Sequence, residues 1–261
     1  MSNQEEVLWE IKDKVGTIII NRPAAQNALN AQVIKTIGAL IDAWETDGEV
    51  RSIVLTGAGG KAFCTGADLS ASFGDKPLLE QQRERSLFAQ LLAKMNHSSK
   101  PILAAVDGYC LAGGLGLCLS CDLVVASEES QFGLPEIKRG LWPYIVTAVL
   151  IRHLGPKKAL ELCLLGERIS AADAAKIGLI NYCVPKTEFS QKVAEVARKL
   201  ASFSPAVMAL GKKSFYTIMD MDFSPALEYL QGQLGLHMQL ADLREGISAF
   251  LQKREPVWQG R

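Results

Sequence analysis

The sequence has no excess of charge of either sign and no long block of like charges. Its 28 basic and 28 acidic residues give a formal net charge of zero, and no run of like charges reaches five residues. Proteins that bind nucleic acid or anionic membranes mainly by electrostatics carry basic patches or tracts. We therefore expect neither nucleic acid nor a membrane as a partner.

Targeting signals and long apolar runs are lacking too. No uninterrupted apolar segment approaches the roughly 20 residues that span a bilayer, and the opening segment MSNQEEVLWE has the layout of neither a secretory signal nor a transit peptide. The six cysteines are scattered through core-forming sequence, which indicates buried thiols in a reducing compartment and not a disulfide framework. These features predict a cytoplasmic location.

Apolar segments rich in Val and Ile alternate with helical periodicity in the first part of the chain. Strands are predicted at residues 7–11, 15–20, 52–55, 102–106 and 123–126, and helices at 30–45, 79–96 and 114–120. Asn30 is the predicted N-cap of the first helix, and residues 63–68 are predicted to form a loop. Near-continuous apolar strands between helices are typical of an α/β fold whose mostly parallel sheet is covered on both faces.

From about residue 143 onward the pattern is almost entirely helical. One short strand is predicted at 181–184, and helices at 143–152, 156–165, 171–177, 188–202, 205–219, 223–239 and 242–251. We divide the chain into a core over residues 1–199 and a helical region over residues 200–261.

Residues suited to metal, redox and nucleophilic chemistry are sparse. Cys118 and Cys121 form one pair with no second pair, and the three histidines lie far apart, so packing is favoured over zinc or redox chemistry. The sequence contains no G-x-S-x-G elbow. Residues 57–62 fit a loose G-x-G-x-x-A dinucleotide fingerprint, but no helix is predicted to open there. We interpret them as a turn that ends a strand, with a dinucleotide oxidoreductase as the weaker alternative.

A glycine pair stands out in the segment CLAGGLGLCLSCD, which covers residues 110–122. Gly113 and Gly114 lie where a helix is predicted to open after a strand. The first amides of a helix have no intrahelical acceptor and sit at its positive end, and glycine lets a ligand approach them closely. This arrangement suits an oxyanion hole. The alternative is that the glycines only allow the helix to pack closely on the sheet.

Several further segments occur in a characteristic order along nearly the whole chain. They are NRPAAQNAL (21–29), IVLTG (53–57), KAFCTGADL (61–69), KPILAAVDGY (100–109), QFGLPEI (131–137), RISAADAAKIGL (168–179) and FLQKR (250–254). With the glycine segment, they resemble the crotonase superfamily, also called the enoyl-CoA hydratase/isomerase family. The resemblance implies an α/β fold with a spiral core of ββα repeats in two nearly perpendicular sheets, and C-terminal helices that build homotrimers, often paired into hexamers. This expectation replaces the single covered sheet.

The resemblance also implies an acyl-CoA thioester as the substrate, with coenzyme A entering as part of it and no separate cofactor or metal. By position, the amides of Thr65 and Gly113 would hold the thioester oxygen as it becomes an enolate, and Glu136 would transfer protons. Residues expected to hold coenzyme A are Ala25, Gly66, Ala67, Asp68 and Leu69, with Phe250 and Lys253 reaching the coenzyme A of a neighbouring subunit.

One departure from the family pattern bears on the reaction. Hydratases of the family carry a second glutamate at the position of Gly116, whereas its double-bond isomerases use a single glutamate at the position of Glu136. We therefore predict enoyl-CoA isomerisation, with Gly116, Trp142 and Tyr144 shaping the acyl pocket. An apolar surround of Phe132, Leu134, Trp142 and Tyr144 is expected to raise the pKa of Glu136. The alternatives are an atypical hydratase that lacks one glutamate and a non-catalytic acyl-CoA-binding protein. Replacing Gly116 by glutamate is expected to add hydratase activity.

Overall fold

The structure is a computed structural model that describes residues 5–68 and 77–261. Ten strands are found in these ranges: β1 Val7–Lys12, β2 Val15–Ile20, β3 Ser52–Gly57, β4 Ala62–Cys64, β5 Ile102–Val106, β6 Tyr109–Leu111, β7 Leu123–Ser127, β8 Gln131–Gly133, β9 Arg168–Ser170 and β10 Tyr182–Val184.

The described helices alternate with these strands and then dominate the C-terminal part. They are α1 Ala31–Glu45, α2 Leu78–His97, α3 Gly113–Leu119, α4 Tyr144–His153, α5 Pro156–Leu165, α6 Ala171–Lys176, α7 Phe189–Ala201, α8 Pro205–Ile218, α9 Phe223–His237 and α10 Ala241–Gln252. Two short 3₁₀ helices cover Pro23–Ala25 and Pro135–Arg139. None of the described helices is both long and apolar enough to cross a lipid bilayer.

The strands form two sheets, so the single covered sheet suggested by periodicity alone is wrong. The first sheet has the order β1-β2-β3-β5-β7-β10 and the second β4-β6-β8-β9. Pairs β1–β2 and β8–β9 are antiparallel, and the other pairs are parallel. Three successive units, β3-β4-α2, β5-β6-α3 and β7-β8-α4, each place one strand in each sheet. This is the repeat that the resemblance predicts.

The hydrophobic periodicity of the sequence did not predict the short strands of the second sheet. The second sheet consists of strands of three residues, which is too short for an alternating pattern to be recognised. Phe63 and Cys64 belong to β4, so the predicted loop over 63–68 is wrong for its first two residues. The helical C-terminal prediction likewise missed β9.

The inner strands β3, β5 and β7 of the first sheet are largely buried on both faces, as their continuous apolar runs predict. The edge strand β1 is exposed beyond Val7. Ile53 and Leu55 of β3 face the main core, while Val54 faces a smaller cluster completed by α7; successive residues of a strand point to opposite faces. Helix α1 begins at its predicted N-cap, where Asn30 Oδ1 accepts from the Val33 amide at 2.8 Å. Its residues Val33, Ile37, Ile41 and Trp44 are buried on the main core.

An ion pair between a buried lysine and a partly exposed aspartate connects the C-terminal helices to the core. Lys212 Nζ of α8 lies 2.8 Å from Asp122 Oδ2 and also donates to the carbonyls of Met95 and Lys100. Tyr216 OH donates to the other oxygen of Asp122 at 2.9 Å. The boundary predicted at residue 199 lies within α7, which packs on the first sheet; the division into two regions stays a prediction.

Candidate active site

A cavity of about 800 Å³ opens between the loop after β4, helices α2 and α3, and the start of α4. Of the predicted site residues, its walls include Thr65, Ala67, Asp68, Gly113, Glu136, Trp142 and Tyr144. Ala25, Gly66, Gly116, Phe250 and Lys253 are not on its walls, and Leu69 lies outside the described residues. The structure therefore brings together the predicted proton-transfer group and the two predicted amide donors.

The Thr65 and Gly113 amides lie on adjacent segments of the cavity wall. A Cβ built on Gly66 would lie 2.9 Å from the Gly113 nitrogen, which shows how closely the two segments pack. Within the described ranges, neither amide donates a hydrogen bond to another group of the protein. Two unpartnered amides at one wall can both donate to a single carbonyl oxygen of a ligand.

The backbone before Gly113 is in an uncommon conformation. Ala112 has φ 51° and ψ −130°, a region that residues with a side chain rarely adopt and that often marks functional sites. The Ala112 amide donates to the Gly133 carbonyl at 2.9 Å. The second sheet thus holds this strained residue in place, and with it the direction of the following amide.

The loop that carries Thr65 is pinned to the segment before α1. Leu29 N donates to Gly66 O, and Asp68 N donates to Leu29 O, each at 2.8 Å. Arg22 Nη2 contacts Asp68 Oδ2 at 2.7 Å, and Arg22 Nε contacts Glu6 Oε1 at 2.8 Å. The ion pair by which Arg22 holds Asp68 could not be predicted from the sequence, because a contact between residues so far apart in the chain leaves no local pattern.

Glu136 reaches the cavity from the 3₁₀ helix that follows β8. Its Oε2 atom is buried and has no hydrogen-bond partner in the described part of the chain. Burial raises the pKa of the carboxyl group, against smaller opposing effects of its own backbone amide and of the Arg139 guanidinium. Phe132 and Leu134 are fully buried, as the predicted apolar surround requires, whereas Tyr144 is 79% exposed. Tyr144 therefore lies at the mouth of the cavity.

Gly116 is buried behind the cavity wall. A Cβ on this residue would lie 3.0 Å from Val146 Cγ2 and 3.5 Å from Phe88 Cζ. Val146 and Phe88 line the cavity, and Gly116 does not. The sequence did not point to Val146 or Phe88, because both belong to helices distant from Gly116 in the chain.

Phe250 and Lys253 do not line the cavity that contains Glu136. Phe250 of α10 is 82% exposed and borders a second groove, between α8 and α10. Lys253 follows as the left-handed C-cap of α10. Their contact with a neighbouring subunit's coenzyme A stays a prediction.

The cysteines and the 57–62 glycines fit their simpler interpretations. Cys64, Cys110, Cys118, Cys121 and Cys163 are buried and Cys183 partly so, all as free thiols. Burial raises the pKa of Cys64 to about 12, which makes its thiolate scarce. The glycine turn connects β3 to β4 of the other sheet, whereas a dinucleotide fingerprint leads from a strand into a helix.

Comparison with known proteins agrees with this fold. The profile of a family described as enoyl-CoA hydratase/isomerase matches residues 10–261. The short-chain-enoyl-CoA hydratase of Clostridium acetobutylicum is 34% identical over 250 residues, which cover 95% of each chain. The 2,3-dehydroadipyl-CoA hydratase of Escherichia coli is 35% identical over 257 residues, covering 98% of this chain and 99% of that one.

Solved structures lead to the same assignment. The crystal structure of an enoyl-CoA hydratase from Mycobacterium smegmatis superposes with a TM-score of 0.93 at 30% identity, covering 98% of this chain and 99% of that one. The fold is therefore that of the crotonase superfamily, as the sequence predicts. The chain belongs to the enoyl-CoA hydratase/isomerase family.

Proposed function

We propose that this protein is an acyl-CoA enzyme that moves the double bond of an enoyl thioester. The observation that carries the proposal is that Glu136 Oε2 and the amides of Thr65 and Gly113 lie at one cavity, and that none of the three has a hydrogen-bond partner among residues 5–68 and 77–261. A thioester class of substrate is supported by the family and by the names of its relatives.

In this reaction the two amides donate hydrogen bonds to the thioester oxygen of a 3-enoyl-CoA. Glu136 removes a proton from C2, and the electron pair of the broken bond delocalises onto that oxygen as a dienolate. The amides stabilise the developing negative charge. The protonated Glu136 then returns the proton to C4, which gives the 2-enoyl-CoA and restores the carboxylate. A raised carboxyl pKa suits this role, because one group must both accept and donate the proton.

A second candidate is hydration of a 2-enoyl-CoA. The named relatives are mostly hydratases, and Glu84 of α2 also lines the cavity. Addition of water needs one group to activate the water and one to protonate the α carbon. Glu84 and Glu136 would share these tasks.

Matched glutamine variants separate the two candidates. Wild type, Glu136→Gln and Glu84→Gln are each assayed with 3-enoyl-CoA and with 2-enoyl-CoA. We expect wild type to isomerise faster than it hydrates, Glu136→Gln to lose about 10²–10⁴-fold in turnover, and Glu84→Gln to keep isomerase activity. Fast hydration that Glu84→Gln abolishes would favour the hydratase. Tight binding of both thioesters without product would instead indicate a non-catalytic binding protein.

We also propose that the chain assembles into a trimer or hexamer through its C-terminal helices. Large exposed apolar side chains on α8, α9 and α10 support this: Phe215, Phe223, Leu234, Phe250 and Leu251. Light scattering measures the mass directly. If Lys253 contacts the 3′-phosphate of a neighbouring subunit's substrate, Lys253→Ala will raise the KM for coenzyme A thioesters and leave the KM for their 3′-dephospho analogues unchanged.

A further inference from the structure

The space in front of Gly116 is filled by a side chain from another helix. Gly113 and Gly116 are three residues apart on α3 and so lie on the same face. The Phe88 ring spans that face, with Cζ 3.6 Å from an ideal Cβ on Gly113 and 3.5 Å from one on Gly116. The two methyl groups of Val146 close the remaining direction, at 3.0 and 3.5 Å from the Gly116 Cβ position. The first side-chain atom at position 116 would therefore contact Phe88 and Val146, which both line the cavity, and its tightest contact would be with Val146.

Val146 forms part of the wall of the cavity. It lies in the first turn of α4, is only 3% exposed, and lines the cavity that also contains Glu136. Its neighbour Ile145 lines the same cavity. This part of the wall is therefore apolar, and it presents no group that can hold water or carry a proton.

We infer that Val146 is a specificity-determining residue: it fills the space where a second proton-transfer group would stand and thereby restricts the site to substrates whose double bond is moved and not hydrated. The inference rests on the proposed function. It also revises the sequence-based expectation that Gly116→Glu alone adds hydratase activity. We expect Val146 to hinder the new carboxylate from reaching the cavity, because Val146 already makes a tight contact with the Cβ position of residue 116.

A thermal double-mutant cycle tests the packing without any substrate. Gly116→Ala adds only the Cβ, and Val146→Ala removes both methyl groups that this Cβ would meet. We expect Gly116→Ala to raise Tm more, or lower it less, in the Val146→Ala background than in wild type, because contacting residues couple. Gly235→Ala is the control: it is also helical, but nothing lies within 4 Å of its Cβ position. Its effect on Tm should be the same in both backgrounds. Equal effects of Gly116→Ala in the two backgrounds would overturn the inference.

An activity cycle tests the chemical consequence. Hydration of 2-enoyl-CoA is measured for Gly116→Glu, Val146→Ala and the double variant. We expect no gain in either single variant and at least about a tenfold gain in the double variant, the smallest step that separates cleanly from mutational scatter. A folded double variant without this gain, or an equal gain in Gly116→Glu alone, would contradict the role of Val146.

The two cycles also separate this inference from the proposed function. Wild type that hydrates rapidly and does not isomerise would refute the proposed function. The thermal cycle involves no substrate. Whether Gly116→Ala and Val146→Ala are coupled in their effect on Tm therefore tests the contact between positions 116 and 146, whichever reaction wild type catalyses. The thermal cycle also keeps the inference testable if the glutamate variants fail to fold.

Discussion

Replacing Gly114 by alanine should move the Thr65 amide away from the Gly113 amide. An ideal Cβ on Gly114 would lie 2.6 Å from the carbonyl carbon of Cys64, and closer still to its oxygen. Carbon atoms in contact are about 3.5–4.0 Å apart. Helix α3 and strand β4 must therefore move apart by about 1 Å. Thr65 directly follows Cys64, and Gly113 directly precedes Gly114, so this movement displaces one amide from the other.

The size of the effect follows from that displacement. A misplacement of about 1 Å can lower turnover by about 10²-fold, and overpacking of a core destabilises by about 1–3 kcal/mol. In a domain of roughly this size, each kcal/mol corresponds to about 2–4 °C in Tm. We therefore expect Gly114→Ala to unfold about 2–12 °C below wild type and to lose about 10²-fold in kcat.

A matched control separates this steric effect from the general effect of alanine in a helix. Gly235→Ala in α9 has open space around its Cβ position, so we expect up to about 1 kcal/mol of added stability from helix propensity and an unchanged kcat. Steady-state kinetics and thermal unfolding measure both variants. Wild-type kcat and Tm in Gly114→Ala would refute the close approach on which the amide pair depends.

Three further outcomes follow from the ionic groups. Lys212→Met should lose about 1–3 kcal/mol in urea unfolding, because it removes the cation beside the partly exposed Asp122 and the donor to two backbone carbonyls; an unchanged free energy of unfolding would contradict this. Arg22→Ala should raise the KM for acyl-CoA and lower kcat in steady-state assays, since it removes the Arg22–Asp68 ion pair that helps to hold the loop carrying Thr65; unchanged kinetics would argue against that role. The raised pKa of the Glu136 carboxyl in the free protein places the acid limb of kcat/KM above pH 4.5, the ordinary value for this group. Because the folded state then binds the proton more tightly than the unfolded state, wild type should lose stability relative to Glu136→Gln as pH rises from 4.5, and a Tm difference independent of pH would refute the shift.

The fold was predictable where burial leaves a long pattern. The inner strands β3, β5 and β7 of the first sheet carry continuous apolar runs because both of their faces are covered, and α1 shows its buried stripe in the sequence. The second sheet left no such pattern. Cys64 pairs with Cys110, and Cys110 with Phe132, so its short strands depend on partners distant in the chain. Only the resemblance to a known family anticipated two sheets.

The site divides in the same way. Thr65, Gly113 and Glu136 stand in local motifs, and the structure brings all three to one cavity. Val146 and Arg22 act through contacts with residues far along the chain, so no spacing in the sequence reveals them. Gly116 shows the difference most clearly, because its identity is visible in the sequence but the side chain that fills its space is not.

The central claim is that one carboxylate carries the same proton from C2 to C4. The most direct measurement uses a 3-enoyl-CoA with deuterium at both C2 positions, incubated with wild type in ordinary water and analysed by mass spectrometry. We predict a 2-enoyl-CoA that retains one deuterium at C2 and carries the other at C4, and no such product with Glu136→Gln. If the hydrogen gained at C4 comes only from solvent, or if a 3-hydroxyacyl-CoA is the main product, the transfer of one proton from C2 to C4 by Glu136 is contradicted.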